Sequence, residues 1–336
     1  MTRALSIILL GLTLSLATPS YSLSLGIPGG KTKEIAGDKN IIVVRLHSQQ
    51  NIEDLAQEYL KDRNQAWQIR ELNNLTTAVP GQLIAIPLKP ANPVSVYPDG
   101  YRTVPVLCYH QFSSGARASN QLAVSAQDFE QQMAYLAENN FQVIPLSQLE
   151  EMLSRKLPIP PKVVVLTIDD GYRSIYNIAY PILKKYQFPA TVFLYTDFVG
   201  GSAALTWSQL KELQNSDIID IQSHTKTHTS LATTPKDIDN TVYQSRIRGE
   251  ISHADQSLRK KLGVEPRYLA YPYGDSSPYV IETLKQSNYA LAVTVNRGSN
   301  PTFAAPYLLR RTMIYNNHTL DDFKSFLTHY VEKDLQ

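Results

Sequence analysis

Two adjacent carboxylates, Asp169 and Asp170, end the apolar segment VVVLTIDDGY. Successive side chains of an extended strand point to opposite faces, so both carboxylates reach one pocket only where the strand ends. Gly171 supplies a backbone that can make this turn. One carboxylate can then bind a metal ion while the other acts as a general base. The alternative is an ordinary turn in which Asp169 caps a helix that runs from about 172 to 186.

A second segment, IDIQSHTKTHTSL, places His224 and His228 after another short apolar strand. A spacing of four residues brings both rings to one side of a helical turn, within reach of one metal ion. The segment differs from the HExxH metalloprotease motif, because Thr225 stands where that motif has its glutamate base. Two imidazoles and one carboxylate leave positions open for water and substrate, and a second carboxylate beside them can act as the base.

Two further segments carry polar or aromatic side chains at predicted strand ends. The segment YLAYPYGDSS contains Tyr271, Pro272 and Tyr273. We expect the aromatic rings to stack on a substrate ring and the rigid backbone to present an N–H to an oxyanion. The segment VPVLCYHQF adds Tyr109 and His110. Four such segments at four strand ends favour a binding or catalytic site over simple turns.

Apolar strands alternate with helical patterns from residue 101 onward. The predicted strands are Val104–Cys108, Phe141–Ile144, Val163–Ile168, Thr191–Tyr195, Asp220–Gln222, Tyr268–Tyr271, Leu291–Val295 and Leu309–Ile314. The longest predicted helix runs from about Lys236 to Leu262, and Ser125 is the predicted cap of an earlier one. Continuous apolar strands between helices predict an α/β fold with a parallel sheet covered on both faces. About seven such units predict a distorted parallel (β/α) barrel, with an open doubly wound sheet as the alternative, and active sites gather at the strands' carboxyl ends in both folds.

The chain begins with a segment typical of a secretory signal peptide, residues 1–22. Arg3 precedes an apolar stretch of about 14 residues, which is shorter than the roughly 20 needed to span a bilayer. We expect a mature chain without a membrane span, and an uncleaved N-terminal anchor is the alternative. Either way the protein is expected to be secreted or extracytoplasmic, in the periplasm or cell wall. Its single cysteine, Cys108, allows no internal disulfide.

The composition is that of an ordinary globular protein with room for more than one domain. The chain has 336 residues, of which 43% are hydrophobic and 18% charged. Its formal net charge is +2, and Lys and Arg are scattered along the sequence. This balance argues against a nucleic-acid partner.

Residues 41–88 are predicted to form a small separate unit. Apolar strands at Ile41–Arg45 and Leu83–Pro87 flank two helical patterns, and residues 89–100 form a proline-rich linker. The segments NIEDLAQEY, IRELNN and PGQLIAIP resemble those of a LysM module, a small βααβ domain that binds N-acetylglucosamine-containing glycans. The sequence HSQQN stands where that family usually has a Gly-Asp-Thr turn, so a spacer domain is the alternative. Residues 23–40 are predicted to be disordered.

Residues 101–336 are predicted to form one catalytic domain, and from about Tyr101 to Tyr330 it resembles the polysaccharide deacetylase family, carbohydrate esterase family four, which shares a NodB-like domain. The segments TIDDGY, SHTKTH and AYPYG look like its first, second and third motifs, and LTWSQLKEL resembles the segment between the first two. The resemblance implies that Asp169 is the general base and that Tyr273 offers its backbone N–H to the oxyanion. It also implies that Asp170, His224 and His228 bind the metal.

The resemblance implies a metal-dependent hydrolase that removes N-acetyl groups from an N-acetylglucosamine-containing polysaccharide and releases acetate. The implied substrate is an exported polysaccharide or peptidoglycan, and the expected ion is Zn²⁺, although Co²⁺, Mn²⁺ and Fe²⁺ suit the same ligands. One alternative is a noncatalytic glycan-binding protein with a degenerate deacetylase fold. Another is an esterase that acts on O-acetyl groups of a polysaccharide.

The sequence departs from the family pattern at two positions. The third motif commonly begins with an arginine, where this chain has Ala270, and we expect Arg310 or Arg311 to take its place. The family's general acid is a histidine in an apolar context, whereas His318 follows two asparagines in a predicted loop. His318 and His110 are therefore both candidates for the general acid.

Overall fold

A computed structural model describes residues 32, 34–90, 92–115, 120–233 and 241–334. The predicted signal segment, residues 1–22, lies outside the described residues. Within the described ranges, every helix is too short or too polar to cross a bilayer.

A small domain occupies the N-terminal part of the described chain. Its elements are β1 (Glu34–Gly37), β2 (Ile41–Arg45), α1 (Ile52–Leu55), α2 (Ala66–Leu72) and β3 (Leu83–Pro87). The strands form an antiparallel sheet in the order β1-β2-β3. The predicted order of strand, two helices and strand is thus present in the structure.

The prediction of disorder for residues 23–40 is wrong for β1. Asp38 makes a tight turn, in which its N–H donates to the Ile41 carbonyl and its carboxylate accepts from Asn40 N–H. This turn folds β1 back along the edge of β2, where the ladder satisfies its backbone groups. All four β1 side chains are exposed, which is why no hydrophobic pattern indicates the strand.

The rest of the chain forms one larger domain of alternating strands and helices. Its strands are β4 (Val96–Tyr97), β5 (Gly100–Arg102), β6 (Val104–Tyr109), β7 (Gln111–Ser113), β8 (Ala123–Ser125), β9 (Gln142–Val143), β10 (Val163–Asp170), β11 (Ala190–Leu194), β12 (Ile219–Ser223), β13 (Tyr268–Ala270), β14 (Leu291–Val293), β15 (Ser299–Asn300), β16 (Thr312–Met313) and β17 (Tyr330–Glu332). Its helices are α3 (Ala126–Glu138), α4 (Leu146–Leu153), α5 (Tyr180–Tyr186), α6 (Trp207–Gln214), α7 (Thr241–Leu262), α8 (Pro278–Gln286) and α9 (Leu320–Phe326).

The central sheet is a curled parallel sheet, and the predicted distorted barrel is confirmed. Its strand order is β14-β13-β12-β11-β10-β6-β15, in which only β15 is antiparallel, and β16 also pairs in parallel with β6. A parallel bridge between Val293 and Leu309 then joins β14 to the segment that leads into β16. All eight residues of β10 are buried, as expected for a strand that is covered on both faces.

Two predicted elements differ from those observed. Only Thr312–Met313 of the predicted strand Leu309–Ile314 pairs as a strand. The N–H and carbonyl of Arg310 bond instead to the side chain of Asn300, which replaces a neighbouring strand. The longest helix spans Thr241–Leu262, and its predicted start near residue 236 lies outside the described residues.

The predicted linker is packed against the larger domain. Its strand β4 pairs with β5, and β5 pairs with β17 near the C-terminus. Ser95 is fully buried and its hydroxyl accepts from Ile159 N–H, while the Val94 carbonyl accepts from Thr302. Proline stiffens this segment, and side-chain hydrogen bonds that the sequence does not indicate fix its position.

The helices cover the sheet with apolar faces and begin at recognisable caps. The Ser125 hydroxyl accepts from Asp128 N–H at the start of α3, as predicted. Phe129 and Met133, one turn apart on α3, are buried in the main core. This packing leaves the carboxyl ends of the parallel strands as the positions where polar side chains meet.

Candidate active site

A cavity of about 340 Å³ lies at the carboxyl ends of the parallel strands. Its lining includes His110, Asp169, Asp170, His224, His228 and Tyr273. The four segments singled out in the sequence therefore meet at one place, as the position of strand ends in a parallel sheet requires.

The paired carboxylates occupy the last two residues of β10. Asp170 has a φ of 75° and Gly171 a φ of 94°, so the strand ends in a left-handed turn. Both carboxylates are buried and both line the cavity. A Cβ at position 171 would clash with the buried side chain of Leu194, so the turn requires glycine for both its φ and its space.

Asp170, His224 and His228 form a compact group of potential metal ligands. One ligand atom from each lies within 4.8 Å of the others. The Nε2 atoms of His224 and His228 are 3.7 and 3.5 Å from Oδ1 of Asp170. Ligands that surround one ion at about 2.0–2.2 Å are separated by roughly 3–3.6 Å, so the group fits a single divalent cation.

A backbone carbonyl fixes the tautomer of His224. Nδ1 lies 2.7 Å from the carbonyl oxygen of Ala270, which can only accept. Nδ1 therefore carries the proton, and the lone pair of Nε2 is left for a cation. Such a contact on the second ring nitrogen is usual for histidines that bind metals.

The two histidines do not lie on a helical turn, which corrects the geometry expected from their spacing. The segment after β12 is a loop in which Thr225 and His228 have φ values of 71° and 62°. The ring centroids are nevertheless 4.7 Å apart. The loop thus brings the rings together by a route that the i, i+4 spacing does not indicate.

Burial shifts the titration of these ligands towards their neutral forms. Burial and the neighbouring Asp169 carboxylate raise the pKa of Asp170 to about 7. Burial lowers the pKa of His224 to about 3, against the attraction of Asp169, and burial also lowers the pKa of His228. Neutral imidazoles are the form that binds metal ions.

Asp169 forms a two-pronged ion pair with Arg311. Both guanidinium NH groups donate to the carboxylate at 2.7 Å, and both side chains are buried. Burial alone would raise the pKa of Asp169, but the charge and hydrogen bonds of Arg311 outweigh it and hold this pKa well below its usual range. Asp169 is therefore ionised at neutral pH.

Of the two predicted arginines, only Arg311 contacts the carboxylate pair. Its Nε also donates to the carbonyl of Thr294, which fixes the side chain from a second strand segment. Arg310 is exposed and lies against Gly298. Arg311, which lies near the C-terminal end of the domain in sequence, thus stands in for the arginine that the family has at the position of Ala270.

Sequence reasoning missed the contact between Cys108 and Asp169. The Sγ of Cys108 lies 3.4 Å from Oδ2 of Asp169. Burial raises the pKa of the thiol well above its usual value, so the S–H is retained and donates to the carboxylate. Tyr109 and His110, which follow Cys108 in the segment VPVLCYHQF, are the sequence signals near this position.

The two candidate acids occupy different positions. His110 is buried, lines the cavity and lies with Asp169 in a second group whose ligand atoms are within 4.8 Å. Its Nδ1 has no hydrogen-bond partner among the described residues. His318 packs against Tyr315 and Phe326, and its Nδ1 accepts from Tyr315 N–H. The cavity lining does not include His318.

The three residues of the third motif differ in exposure. Tyr271 is fully buried beneath the cavity that it helps to line, and its hydroxyl donates to the Tyr307 carbonyl. Pro272 is buried as well. Tyr273 is 64% exposed, has a φ of 60° and lies with its ring 4.8 Å from that of His228. Both tyrosines line the cavity, and Tyr273 has the more exposed ring, so the expectation of a stacking face stays a prediction for both.

Comparison with known proteins places the larger domain among deacetylases. Residues 156–292 match the family model described as polysaccharide deacetylase. The chain is 26% identical over 267 residues to poly-beta-1,6-N-acetyl-D-glucosamine N-deacetylase of Escherichia coli strain K12, covering 68% of this chain and 39% of that protein. It is 27% identical over 209 residues to the enzyme of the same name from Staphylococcus epidermidis, covering 61% of this chain and 72% of that protein.

A solved structure shows the same architecture. The Streptococcus pyogenes deacetylase PplD, in complex with acetate, is 27% identical and matches with a TM-score of 0.59. The match covers 67% of this chain and 98% of that one. His110, Arg311 and His318 lie outside the residues that match the family model. The motifs, the curled sheet and these matches together show a polysaccharide deacetylase domain in this chain, with residues 156–292 matching the family model.

Proposed function

We propose that the protein is a metal-dependent hydrolase that removes N-acetyl groups from a polysaccharide containing N-acetylglucosamine and releases acetate. The observation that carries the proposal is a three-ligand group, Asp170, His224 and His228, beside a separate ionised carboxylate, Asp169. Binding of a glycan requires no base next to a metal site, so this arrangement favours catalysis over a noncatalytic role. The names of the Escherichia coli and staphylococcal relatives support an N-acetylglucosamine polymer as the substrate class.

Asp170, His224 and His228 are the residues that would hold a divalent ion, which we propose to be Zn²⁺. Such an ion lowers the pKa of water towards ~7 and polarises a carbonyl group. The same nitrogen and oxygen ligands suit Co²⁺, Mn²⁺ and Fe²⁺. Because the tautomer of His224 is fixed by the Ala270 carbonyl, its ring is oriented before any ion binds.

Asp169 is the general base in this proposal. Its carboxylate is ionised. Arg311 occupies one lone pair on each oxygen and the Cys108 thiol occupies the second on Oδ2, which leaves one lone pair on Oδ1 for the proton of an attacking water. Arg311 also prevents the carboxylate from rotating. A base positioned in this way contributes about 10²- to 10⁴-fold in rate.

His110 is the general acid in this proposal: it passes to the leaving amine the proton that Asp169 takes from the water. It lines the cavity close to Asp169, whereas His318 is bonded to its own loop. Tyr273 offers its backbone N–H to the oxyanion and its exposed ring to the sugar, in line with its place in the third motif.

We propose that the protein acts outside the cytoplasm on an exported glycan. The signal-like residues 1–22 and the substrates named for the relatives support this location. The LysM-like domain, residues 41–88, is proposed to bind N-acetylglucosamine-containing glycan. These assignments extend the catalytic proposal and do not affect its chemistry.

The test of catalysis is acetate release from N-acetylglucosamine oligomers by the Zn²⁺-loaded protein. We expect release by the wild type and its loss in Asp169→Asn, with metal still bound in that variant. Undiminished acetate release by Asp169→Asn would exclude Asp169 as the base. Acetate released from acetylated xylan but not from the oligomers would assign the protein to O-acetyl esters instead.

The test of the ligand set is metal content after dialysis. His228→Ala is expected to bind substoichiometric Zn²⁺, because one of three protein ligands is removed. His253→Ala, which removes an exposed histidine on α7, is the matched control and should retain full metal content. A full metal content in both variants would remove His228 from the ligand set.

A further inference from the structure

The loop of residues 225–227 connects the two metal-ligating histidines and sets their separation. It forms no strand or helix, and Thr225 at its start and His228 just after it have left-handed φ values. Positions of this kind are strained in residues other than glycine and persist only where the surroundings hold them. The loop must therefore be held by contacts from outside itself.

One side of the loop is held through its carbonyl groups. The carbonyl of Thr225 accepts from Thr196 N–H at 3.2 Å, and the carbonyl of Lys226 accepts from Asp197 N–H at 2.9 Å. The Asp197 carboxylate also pairs with the Lys226 ammonium group. The segment that follows β11 thus holds the loop as a neighbouring strand would.

The other side is held through its N–H groups by a single side chain. Oε2 of Glu250 accepts from the N–H groups of Lys226 and Thr227 at 3.1 and 2.8 Å. Oε1 of Glu250 accepts from the Thr227 hydroxyl at 2.7 Å. Glu250 lies on the buried face of α7 and is 7% exposed.

A buried carboxylate is favourable only where it is hydrogen-bonded, and here three donors from one short segment meet it. Hydrogen bonds to a charged acceptor are about twice as strong as those between neutral groups. Loss of the acceptor would leave the N–H groups of Lys226 and Thr227, in a half-buried segment, without their protein partner, and the loop would lose its hold on this side.

We propose that Glu250 is a positioning residue for the metal site, which holds the loop between His224 and His228 so that both rings face Asp170. The inference rests on the proposed function for the identity of the ligand set. Glu250 itself touches neither the ion nor the substrate in this assignment. Its effect is expected on metal affinity, because partners behind metal ligands typically change that affinity by about 10- to 100-fold.

The test compares Glu250→Ala with Glu250→Gln. We expect Glu250→Ala to weaken Zn²⁺ binding by about 10- to 100-fold in a chelator competition assay. Glu250→Gln is expected to restore most of this loss, because its amide oxygen can accept from both backbone N–H groups while its NH₂ donates to the Thr227 hydroxyl. The Co²⁺ absorption spectrum of the substituted proteins reports ligand geometry and should change in the alanine variant only.

Asp255→Ala is the matched control for a structural effect of losing a buried acid. Asp255 lies on the same helix, is 4% exposed and accepts from the Tyr289 hydroxyl rather than from the loop. This variant should keep the wild-type Zn²⁺ affinity even where its melting temperature falls. An equal loss of affinity in both alanine variants, or wild-type affinity in a folded Glu250→Ala, would overturn the role of Glu250.

The role of Glu250 and the metal site itself can fail separately. If Glu250→Ala does not fold, Thr227→Val removes one of the three bonds and should still weaken Zn²⁺ binding, whereas unchanged affinity would overturn the inference. If the wild type binds neither Zn²⁺ nor Co²⁺, the proposed metal site itself fails. Wild-type metal binding with an unaffected alanine variant would remove only the role of Glu250.

Discussion

At the residue scale, short motifs predict the chemistry and the fold supplies the partners. Asp169, Asp170 and the two histidines occur in compact segments that follow apolar strands, so their types and order are visible in the sequence. Arg311 lies 142 residues after Asp169, and its contact depends on how the sheet curls. The sequence leaves Arg310 and Arg311 as candidates for the partner of Asp169. Only the packing of the segment just before β16 shows that Arg311 makes the contact.

Exposure is the property of the third motif that the sequence does not determine. Tyr271 and Tyr273 have the same residue type and are two positions apart, yet the first is in the core and the second is exposed. The left-handed backbone at Tyr273 and the turn through Pro272 and Gly274 reverse the direction of the chain. A regular strand pattern would have placed both rings on the same face.

The choice between the two candidate acids is testable by substitution. His110→Ala is expected to lower kcat for acetate release by about 10²- to 10⁴-fold, because a positioned acid contributes that much to rate. His318→Ala is the matched control and should change kcat little, because its ring packs between Tyr315 and Phe326 outside the cavity lining. Steady-state kinetics on an N-acetylglucosamine oligomer measures both. A larger loss in His318→Ala than in His110→Ala would reverse the assignment.

At the element scale, the site is built where strands end in left-handed backbone. Asp170, Gly171, Thr225, His228 and Tyr273 all have φ between 60° and 94°. Only one of these five is glycine, and residues with a Cβ adopt this region at a cost. Propensity and periodicity therefore could not predict these turns, although they predicted the strands that lead into them. Strain concentrated at one cavity is typical of a functional site.

Substitution of Gly171 tests whether the turn at the end of β10 requires glycine. An alanine there adopts an unfavourable φ, and its Cβ meets Cδ1 of the fully buried side chain of Leu194. We expect Gly171→Ala to lower the free energy of unfolding by about 2–4 kcal/mol, from roughly 1 for the backbone and 1–3 for overpacking. Because the turn also sets the position of Asp170, Zn²⁺ affinity should fall with it. Urea unfolding and chelator competition measure the two effects.

Gly263→Ala provides the matched control for the backbone contribution. Gly263 follows α7, has a φ of 72° and leaves open space where a Cβ would stand. Its substitution should therefore lower the free energy of unfolding by only about 1 kcal/mol and leave Zn²⁺ affinity unchanged. Equal losses of stability in the two variants would mean that the contact with Leu194 contributes nothing.

At the scale of the whole molecule, the two domains of the described chain have separate hydrophobic cores, and the site belongs to the larger domain. The small-domain core, which includes Ile52, Ile69 and Ile84, does not include residues of the sheet that carries the site. The residues lining the catalytic cavity all come from the larger domain. The fold class and the two units are predictable from the hydrophobic patterns of the sequence. The contacts between the units are made by polar side chains, which follow no periodic pattern in the sequence.

The small domain contacts the end of the sheet opposite the cavity. Gln142, which pairs with the first residue of β10, donates to the carbonyl of Asn64. Arg102 bonds to Glu71 of α2 and to the Ile159 carbonyl just before β10. Asp169 lies six residues after Val163 on β10, which places this contact roughly 20 Å from Asp169 at about 3.3 Å per residue. A glycan held by the small domain would therefore retain the enzyme on a polymer rather than extend the catalytic cavity.

Separate cores joined by polar contacts predict independent unfolding. The ion pair between Arg102 and Glu71 is partly exposed, and such pairs contribute only about 0–1 kcal/mol. Ile84→Ala removes a fully buried side chain and should destabilise the small domain by about 2–5 kcal/mol. On heating, the Ile84→Ala variant should nevertheless stop releasing acetate from a short soluble oligomer at the same temperature as the wild type. Its binding to insoluble polymer should be weaker than that of the wild type. Leu149→Ala, an equally buried position in the larger domain, should lower the inactivation temperature instead. If Ile84→Ala lowers it as much, the two domains unfold as one cooperative unit, and the small domain contributes to the stability of the catalytic site as well as to binding.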